Sequence, residues 1–330
     1  MKVGGAGPGL AGGGQFSVKP PAVSEFEPLP APVLHSIDAA DGWKLRVWDF
    51  APANQRPMAI VVAGHAMLAD SRTLCRPDRP TLVAVLVAAG FRVLVPDLRG
   101  HGESGPLAAD GGEWSMDDLV ADVRHYVELA RGLEPGLPLA LLGHSLFSQA
   151  AMAWLGQNPD PSVRALVAIN SSVWNRRFEP NRLIWWLKRL VFGFTVIVTR
   201  YVGYLPAIQF RVGTADECKK YWLQFQAWIR ADRWGPIDGK GDWFAGLEQI
   251  RAPLLHVMSE GDRLYARPAA AVRLTAPVPN RELLILGRDD APGELSTLRP
   301  NHMGLITNPR NSLAWYWISG WLQRTLGLLN

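Results

Sequence analysis

The chain is short of cysteine, of long apolar runs and of any one-signed block of charge, and each shortage removes a class of protein. Cys75 and Cys218 are the only cysteines in 330 residues, too few for the disulfide framework of a small secreted domain. A reduced, cytoplasmic protein is the expectation, with a single Cys75–Cys218 bridge left open. The most apolar stretch, Leu190 to Thr199, is closed off by Arg189 and Arg200. It falls well short of the roughly 20 residues a membrane-spanning helix needs. Lys and Arg number 34 against 30 Asp and Glu, a net charge of +4. Bases and acids interleave, so no nucleic-acid partner is expected. Residues 1–34 are rich in Gly, Pro and Ala and lack the apolar core of a secretory signal, which reads as a disordered leader. Cys, His and carboxylate residues form no cluster at ligand spacing, so neither a metal nor another cofactor is expected.

What remains is a globular composition, 48% hydrophobic and 19% charged, in a chain long enough for a sizeable core. Alternation from His35 to Phe50 predicts two short strands around Ala39-Ala40-Asp41-Gly42. Continuous apolar runs at 58–63, 91–96, 138–142, 165–169, 253–258 and 281–286 predict buried strands. Helical spacing lies between them: at 80–89, after the Ser115/Asp118 capping box, at 148–157 and at 312–325. This order implies a mostly parallel sheet with helices on both faces. It breaks between about Ser172 and Ile250, where the chain turns aromatic and helical, with Trp185, Trp186, Trp222, Trp228, Trp234 and Trp243 among its rings. That block reads as an insertion into an α/β core, which gives a core of 35–172 and 248–330 around a helical segment, 173–247.

One turn carries chemistry. The strand ending in Leu142 runs into Gly143-His144-Ser145-Leu146-Phe147 and then a helix, so Ser145 sits on a strand-to-helix turn with its hydroxyl exposed at the sheet's edge. A serine hydroxyl needs an imidazole to take its proton and a carboxylate to orient that imidazole. His302, after the last strand and a loop, is the candidate base. Asp262, just past the strand ending at Met258, is the candidate acid, with Glu260 its competitor. All three follow strand ends, the edge where open α/β sheets bind ligands. Donors for an oxyanion are the Leu146 N–H and one from Gly64-His65-Ala66-Met67, with Met67 first and Ala66 second. His144 reads as a packing residue pointing away from the serine, and His35, His125 and His256 read as structural.

On these residues the chain resembles the α/β-hydrolase superfamily. Gly143-His144-Ser145 is similar to its nucleophile elbow, and Asp97-Leu98-Arg99-Gly100-His101-Gly102-Glu103-Ser104 is similar to the turn after its fourth strand. His65-Ala66-Met67 resembles its oxyanion loop, with Ala66 in place of a glycine. Val202-Gly203-Tyr204-Leu205-Pro206 and the stretch Trp222 to Arg230 resemble a poorly characterised bacterial branch of predicted hydrolases. The resemblance spans about residues 35–325 and implies an α/β-hydrolase fold, a cofactor-independent serine-hydrolase mechanism and a lid over the site. Phe147 departs from it, because the elbow carries a small residue two positions after the serine. Phe147 reads as a buried apolar anchor.

The lid aromatics either wall an apolar acyl pocket or form the lid's own core. The helical stretch from Leu183 to Phe192, broken by Lys188 and Arg189, either rests at a lipid interface or packs down on the core. Trp185, Trp186, His65 and Ala66 are the candidate substrate contacts. The expected reaction is hydrolysis of a carboxylic ester, thioester or lactone with an apolar acyl part, through an acyl-enzyme. Acyl transfer or perhydrolysis on the same three residues is the alternative within enzymes. A ligand-binding homologue without turnover is the alternative outside them, motivated by Phe147.

Overall fold

The strands that were read from apolar runs form one sheet, and they do so in the expected order along the chain. The computed structural model describes residues 28–329. The chain runs β1 (Val33–Asp38), β2 (Lys44–Phe50), β3 (Ala59–Gly64), α1 (Leu82–Ala88), β4 (Phe91–Asp97), α2 (Met116–Leu133), β5 (Leu139–His144), α3 (Leu146–Gln157) and β6 (Val163–Ile169). The segment that follows holds α4 (Arg182–Val202), β7 (Tyr204–Leu205), β8 (Glu217–Cys218), α5 (Lys219–Ala231) and α6 (Trp243–Gly246). The chain then returns through β9 (Leu254–Ser259), α7 (Pro268–Leu274), β10 (Arg281–Leu286), α8 (Gly304–Thr307) and α9 (Ser312–Thr325). The leader expected over 1–34 lies outside the described residues up to 27, and β1 begins at Val33, two residues before the expected His35.

The main sheet has the order β1-β2-β4-β3-β5-β6-β9-β10. β2 pairs antiparallel with β1 and β4, and the remaining neighbours are parallel. Parallel pairing needs crossovers, which lay helices on both faces and leave the central strands apolar throughout. Side chains of β3 divide accordingly. Ile60 and Val62 join α2, α3 and the inserted helices in one core, whereas Ala59, Val61 and Ala63 join α1 and α9 in the other.

Local chemistry sets the helix ends. The Ser115 hydroxyl and the Asp118 carboxylate form a reciprocal capping box on α2, which satisfies two otherwise orphaned donors. Asn181 caps α4, and Gly203, at φ +99°, closes it in the left-handed region. α4 buries Trp185, Lys188, Phe192, Val196 and Thr199, the spacing of one helix face.

The aromatics of the inserted segment extend the core on the α2–α3 face of the sheet. Phe192 stacks on Trp222 at 4.7 Å and packs on Phe225 at 4.6 Å. The chain of rings continues from Phe225 to Trp228, from Trp228 to Trp243 and from Trp243 to Trp234. Among the described residues, no helix is long and apolar enough to cross a membrane.

Candidate active site

Ser145 sits between β5 and α3 at φ +52°, ψ −101°, a left-handed backbone that a non-glycine residue adopts only when its surroundings impose it. They do so here by backbone bonds. Its N–H donates to Ile169 O at the end of β6, and the next turn is tied by Phe147 N–H to His65 O. Gly143 lets α3 approach this closely, since a Cβ there would lie 2.3 Å from Ser148 N.

Phe147, the departure from the elbow pattern, is fully buried. Its ring lies flat against Gly64 on the neighbouring strand, where a Cβ would come within 2.1 Å of it. Gly64 pairs with Gly143 in the β3–β5 register. The small residue missing at 147 is thus supplied across the sheet at 64, and the elbow keeps its shape.

Asp262 occupies the turn after β9. Its carboxylate accepts three bonds: from Tyr265 N–H at 3.0 Å, from Ala266 N–H at 3.0 Å and from His302 Nδ1 at 2.6 Å. The last bond fixes the imidazole with its proton on Nδ1 and its lone pair on Nε2. Glu260, the rival acid, is exposed. The structure therefore brings Asp262 and His302 together, while the two-residue neighbour stays in solvent. Ser145 and His302 are both nearly buried, at 6% and 9% exposure.

His144 corrects the sequence reading. It does not merely pack: its Nε2 donates to His302 O at 3.1 Å, and its ring lies 5.0 Å from the His302 ring. Asn170, at the end of β6, donates to the same carbonyl at 3.0 Å. Two side chains from adjacent strand ends thus hold the His302 backbone at the rim that carries Ser145. Burial, and then the neighbouring His302, hold the His144 imidazole well below its ordinary pKa, so it stays neutral. Its place next to the serine was the only sequence signal for this role, and Asn170 carried none.

The loop after β3 is braced from beneath. His65, expected to contact substrate, is fully buried with both ring nitrogens engaged: Nδ1 donates to Ala66 O at 2.8 Å and Nε2 accepts from Leu98 N–H at 3.0 Å. Burial and the nearby His101 lower its pKa to about 4. Ala66 is buried as well. Among the described residues, no hydrogen-bond acceptor takes the N–H of Met67 or of Leu146. Leu68 is held at both ends: its N–H donates to Glu217 Oε1 at 3.0 Å, and its carbonyl accepts from Thr214 N–H and Ala215 N–H. Glu217 also accepts from His101 Nε2 at 3.1 Å, with both residues fully buried. Burial opposes a charge on His101, yet the Glu217 carboxylate raises its pKa above the ordinary value.

The Asp97–Ser104 turn is structural. Asp97 accepts from Ser71 N–H, Trp48 Nε1 and Glu103 N–H, and Arg99 makes a two-pronged bond to Asp122. Trp185 is buried, whereas Trp186 turns outward at 61% exposure, with the Arg189 guanidinium over its ring. Lys188 is fully buried and donates to Glu179, which also accepts from Arg267. The spacing of Lys188 from Trp185 and Phe192 placed it on the buried helix face, a signal the charge itself concealed. Above the site, the Tyr265 ring lies 5.0 Å from that of His302 and contacts Trp174, whose Nε1 donates to Tyr265 O. Both cysteines are buried and free, and burial pushes each thiol up to about 12. Among the described residues, no cluster fit for a metal ion occurs. Two surface clefts, one beside Leu155, Pro161 and Ile250 and one beside Ile60, Glu134 and Ser162, lie at the opposite, amino end of the strands.

A strained serine between strand and helix, with Asp and His at the ends of later parallel strands, defines an α/β hydrolase. The model of the family described as serine aminopeptidase, S33, matches residues 55–219, half of the chain, and the chain belongs to that family. No curated protein matches the sequence. Among solved structures, the esterase EaEST from Exiguobacterium antarcticum superposes with a TM-score of 0.59 at 16% identity, over 88% of this chain and 100% of that one. Est1E from Butyrivibrio proteoclasticus, solved with ferulic acid bound, gives 0.58 at 13% identity over 89% and 99%. The thioesterase domain from the curacin biosynthetic pathway gives 0.53 at 15% over 89% and 100%. At these identities the likeness is one of fold.

Proposed function

We propose that this chain is a serine hydrolase that cleaves carboxylic esters with an apolar acyl part through an acyl-enzyme, with residues 173–247 as a lid. The observation that carries the reading is the 2.6 Å bond between His302 Nδ1 and Asp262, on a residue whose backbone carbonyl is held by His144 and Asn170 beside the Ser145 turn. With Nδ1–H committed to Asp262, His302 Nε2 is the free base. It takes the Ser145 proton as the Ser145 oxygen attacks the acyl carbon. The carbonyl oxygen becomes an oxyanion, for which the N–H groups of Leu146 and Met67 are the free donors. Collapse expels the alcohol, protonated by His302. Water, deprotonated by the same Nε2, then attacks the acyl-enzyme, and the acid leaves with Ser145 restored.

Ester rather than amino-terminal peptide cleavage is favoured by charge. Selecting a free amino terminus calls for an accessible, unpaired carboxylate; Glu179 is committed to Lys188 and Arg267, and Glu217, bonded to His101 through Oε1, is fully buried. The aromatic rings Tyr265 and Trp174 beside His302 suit an apolar acyl group instead. The esterase and thioesterase names of the structural neighbours agree with this chemistry.

The test is a series of p-nitrophenyl esters of increasing acyl length alongside amino-acid p-nitroanilides, with wild type and Ser145→Ala. The expected result is ester turnover that falls by about 10³-fold or more in the variant, with no anilide release. Equal turnover by both proteins would reject Ser145 as the nucleophile, and preferential anilide cleavage would reject the substrate class.

A further inference from the structure

The outer face of α4 is covered by nothing in the described chain. Leu183, Leu187, Leu190, Phe194, Ile197 and Tyr201 recur at helical spacing, and all are exposed, from 44% at Leu187 to 93% at Tyr201. Trp186 lies beside them. At 1.5 Å per residue the stripe runs for roughly 27 Å, and exposed Ile208, Phe210 and Val212 extend it past β7. Scattered exposed apolar residues are ordinary, but a continuous stripe of this length marks an interaction surface.

The charge around the stripe has one sign. From residue 180 to 215 the chain carries Arg182, Lys188, Arg189, Arg200 and Arg211 and no acidic residue. That is +5, more than the +4 of the whole chain. Lys188 turns inward to Glu179, whereas the four arginines are exposed, and none pairs with an acid among the described residues. A second copy docking through the same face would set these cations against themselves. A span is excluded by the helix's own inner face, which is packed on the protein.

From this complementarity we infer that α4 docks the protein on an anionic lipid bilayer. The helix lies in the interface plane, with its apolar stripe among the acyl chains and its arginines at the phosphates. Trp186 and Tyr201 supply rings of the kind that settle at headgroup depth. The inner face of α4 reaches the site through Phe192, Trp174 and Tyr265 to His302. Docking therefore places the membrane on the far side of α4 from the candidate site, with the helix and the Trp174 and Tyr265 rings between them.

The inference does not rest on ester hydrolysis, and the experiment keeps the two apart by using the Ser145→Ala chain. Co-sedimentation is measured with vesicles of phosphatidylcholine alone and of phosphatidylcholine mixed equally with phosphatidylglycerol. The expected result is binding to the mixed vesicles at least about 10-fold stronger than to the neutral ones, weakening as salt is raised. Phe194→Glu/Ile197→Glu, both exposed and outside the catalytic machinery, abolishes binding with unchanged circular dichroism. Arg189→Glu/Arg200→Glu removes the preference for the anionic vesicles. Failure to sediment with either vesicle overturns the inference, as does binding unchanged by the Phe194/Ile197 pair. A wild-type dimer in sedimentation equilibrium that the same pair converts to monomer also overturns it and assigns the face to a second copy.

Discussion

The sheet and the inserted helices solve the same problem with different materials. The sheet hides aliphatic strands between two helix layers, and buried charges at the end of β4 are paired, as in Arg99 with Asp122 of α2 and Asp97 with backbone N–H groups. The inserted segment has little aliphatic core. It packs ring on ring from Phe192 to Trp243 and buries the Lys188–Glu179 ion pair, to which the partly exposed Arg267 is joined from beyond β9. The first builds a rigid rim on which chemistry can be positioned. The second shares a core with the helices on one face of the sheet and is bonded to the rest of the fold, among others through Glu217 to Leu68, Gln224 to Asp117 and Trp174 to Tyr265, while its outer face stays open.

Changes at the rim and in the insertion should therefore fail differently. The largest effect is expected at the rim. Asp262→Asn should lower kcat about 10⁴-fold, read in an ester assay; its single amide oxygen can keep only one of the Tyr265 and Ala266 N–H contacts, which go to different carboxylate oxygens, so a smaller loss of stability accompanies it. In the insertion the order reverses. Glu179→Gln leaves the fully buried Lys188 and the partly buried Arg267 without their counter-charge, and denaturant unfolding should show a loss of about 3–5 kcal/mol. Adding Lys188→Met to that variant should restore a large part, since the remaining cation, Arg267, is half-exposed.

Acid should strike the sheet side next. His65 and His256 are buried and neutral, held down to about 4 and about 3, first by burial. Unfolded, each takes a proton near its ordinary value, so the unfolded state binds more protons and stability falls as pH drops below about 6.5. Each histidine contributes a loss of about 2 kcal/mol at pH 5, read as a falling urea midpoint between pH 7 and pH 5. His256→Phe should flatten part of that slope. The smallest effect is at the exchanged glycine. Gly64→Ala should cost about 1–3 kcal/mol by driving a methyl into the Phe147 ring, and Phe147→Ala in the same chain should relieve the clash.

The comparison also shows where the sequence was readable. Buried parallel strands are continuous apolar runs bounded by turns, so the strands and their order could be read, and the closing helix Ser312–Thr325 was read to the residue. Asp262 followed because it lies just after a strand end, and His302 because it follows the loop after the last strand. The positioning groups were hidden, because nothing local marks Asn170 or Glu217 as partners of residues more than a hundred positions away. The small β7–β8 pair is too short for a period to register. Lys188 was misread as an interruption of an apolar helix face, when its spacing put it inside. Phe147 looked like a defect because its compensation, Gly64, lies on another strand.

The most direct measurement is covalent labelling of wild type and His302→Gln with a fluorophosphonate, followed by peptide mass mapping. The account predicts one adduct per chain, on Ser145, forming at least about 10³-fold more slowly in the variant. An adduct elsewhere, or labelling of Ser145 at the same rate in both proteins, would contradict it.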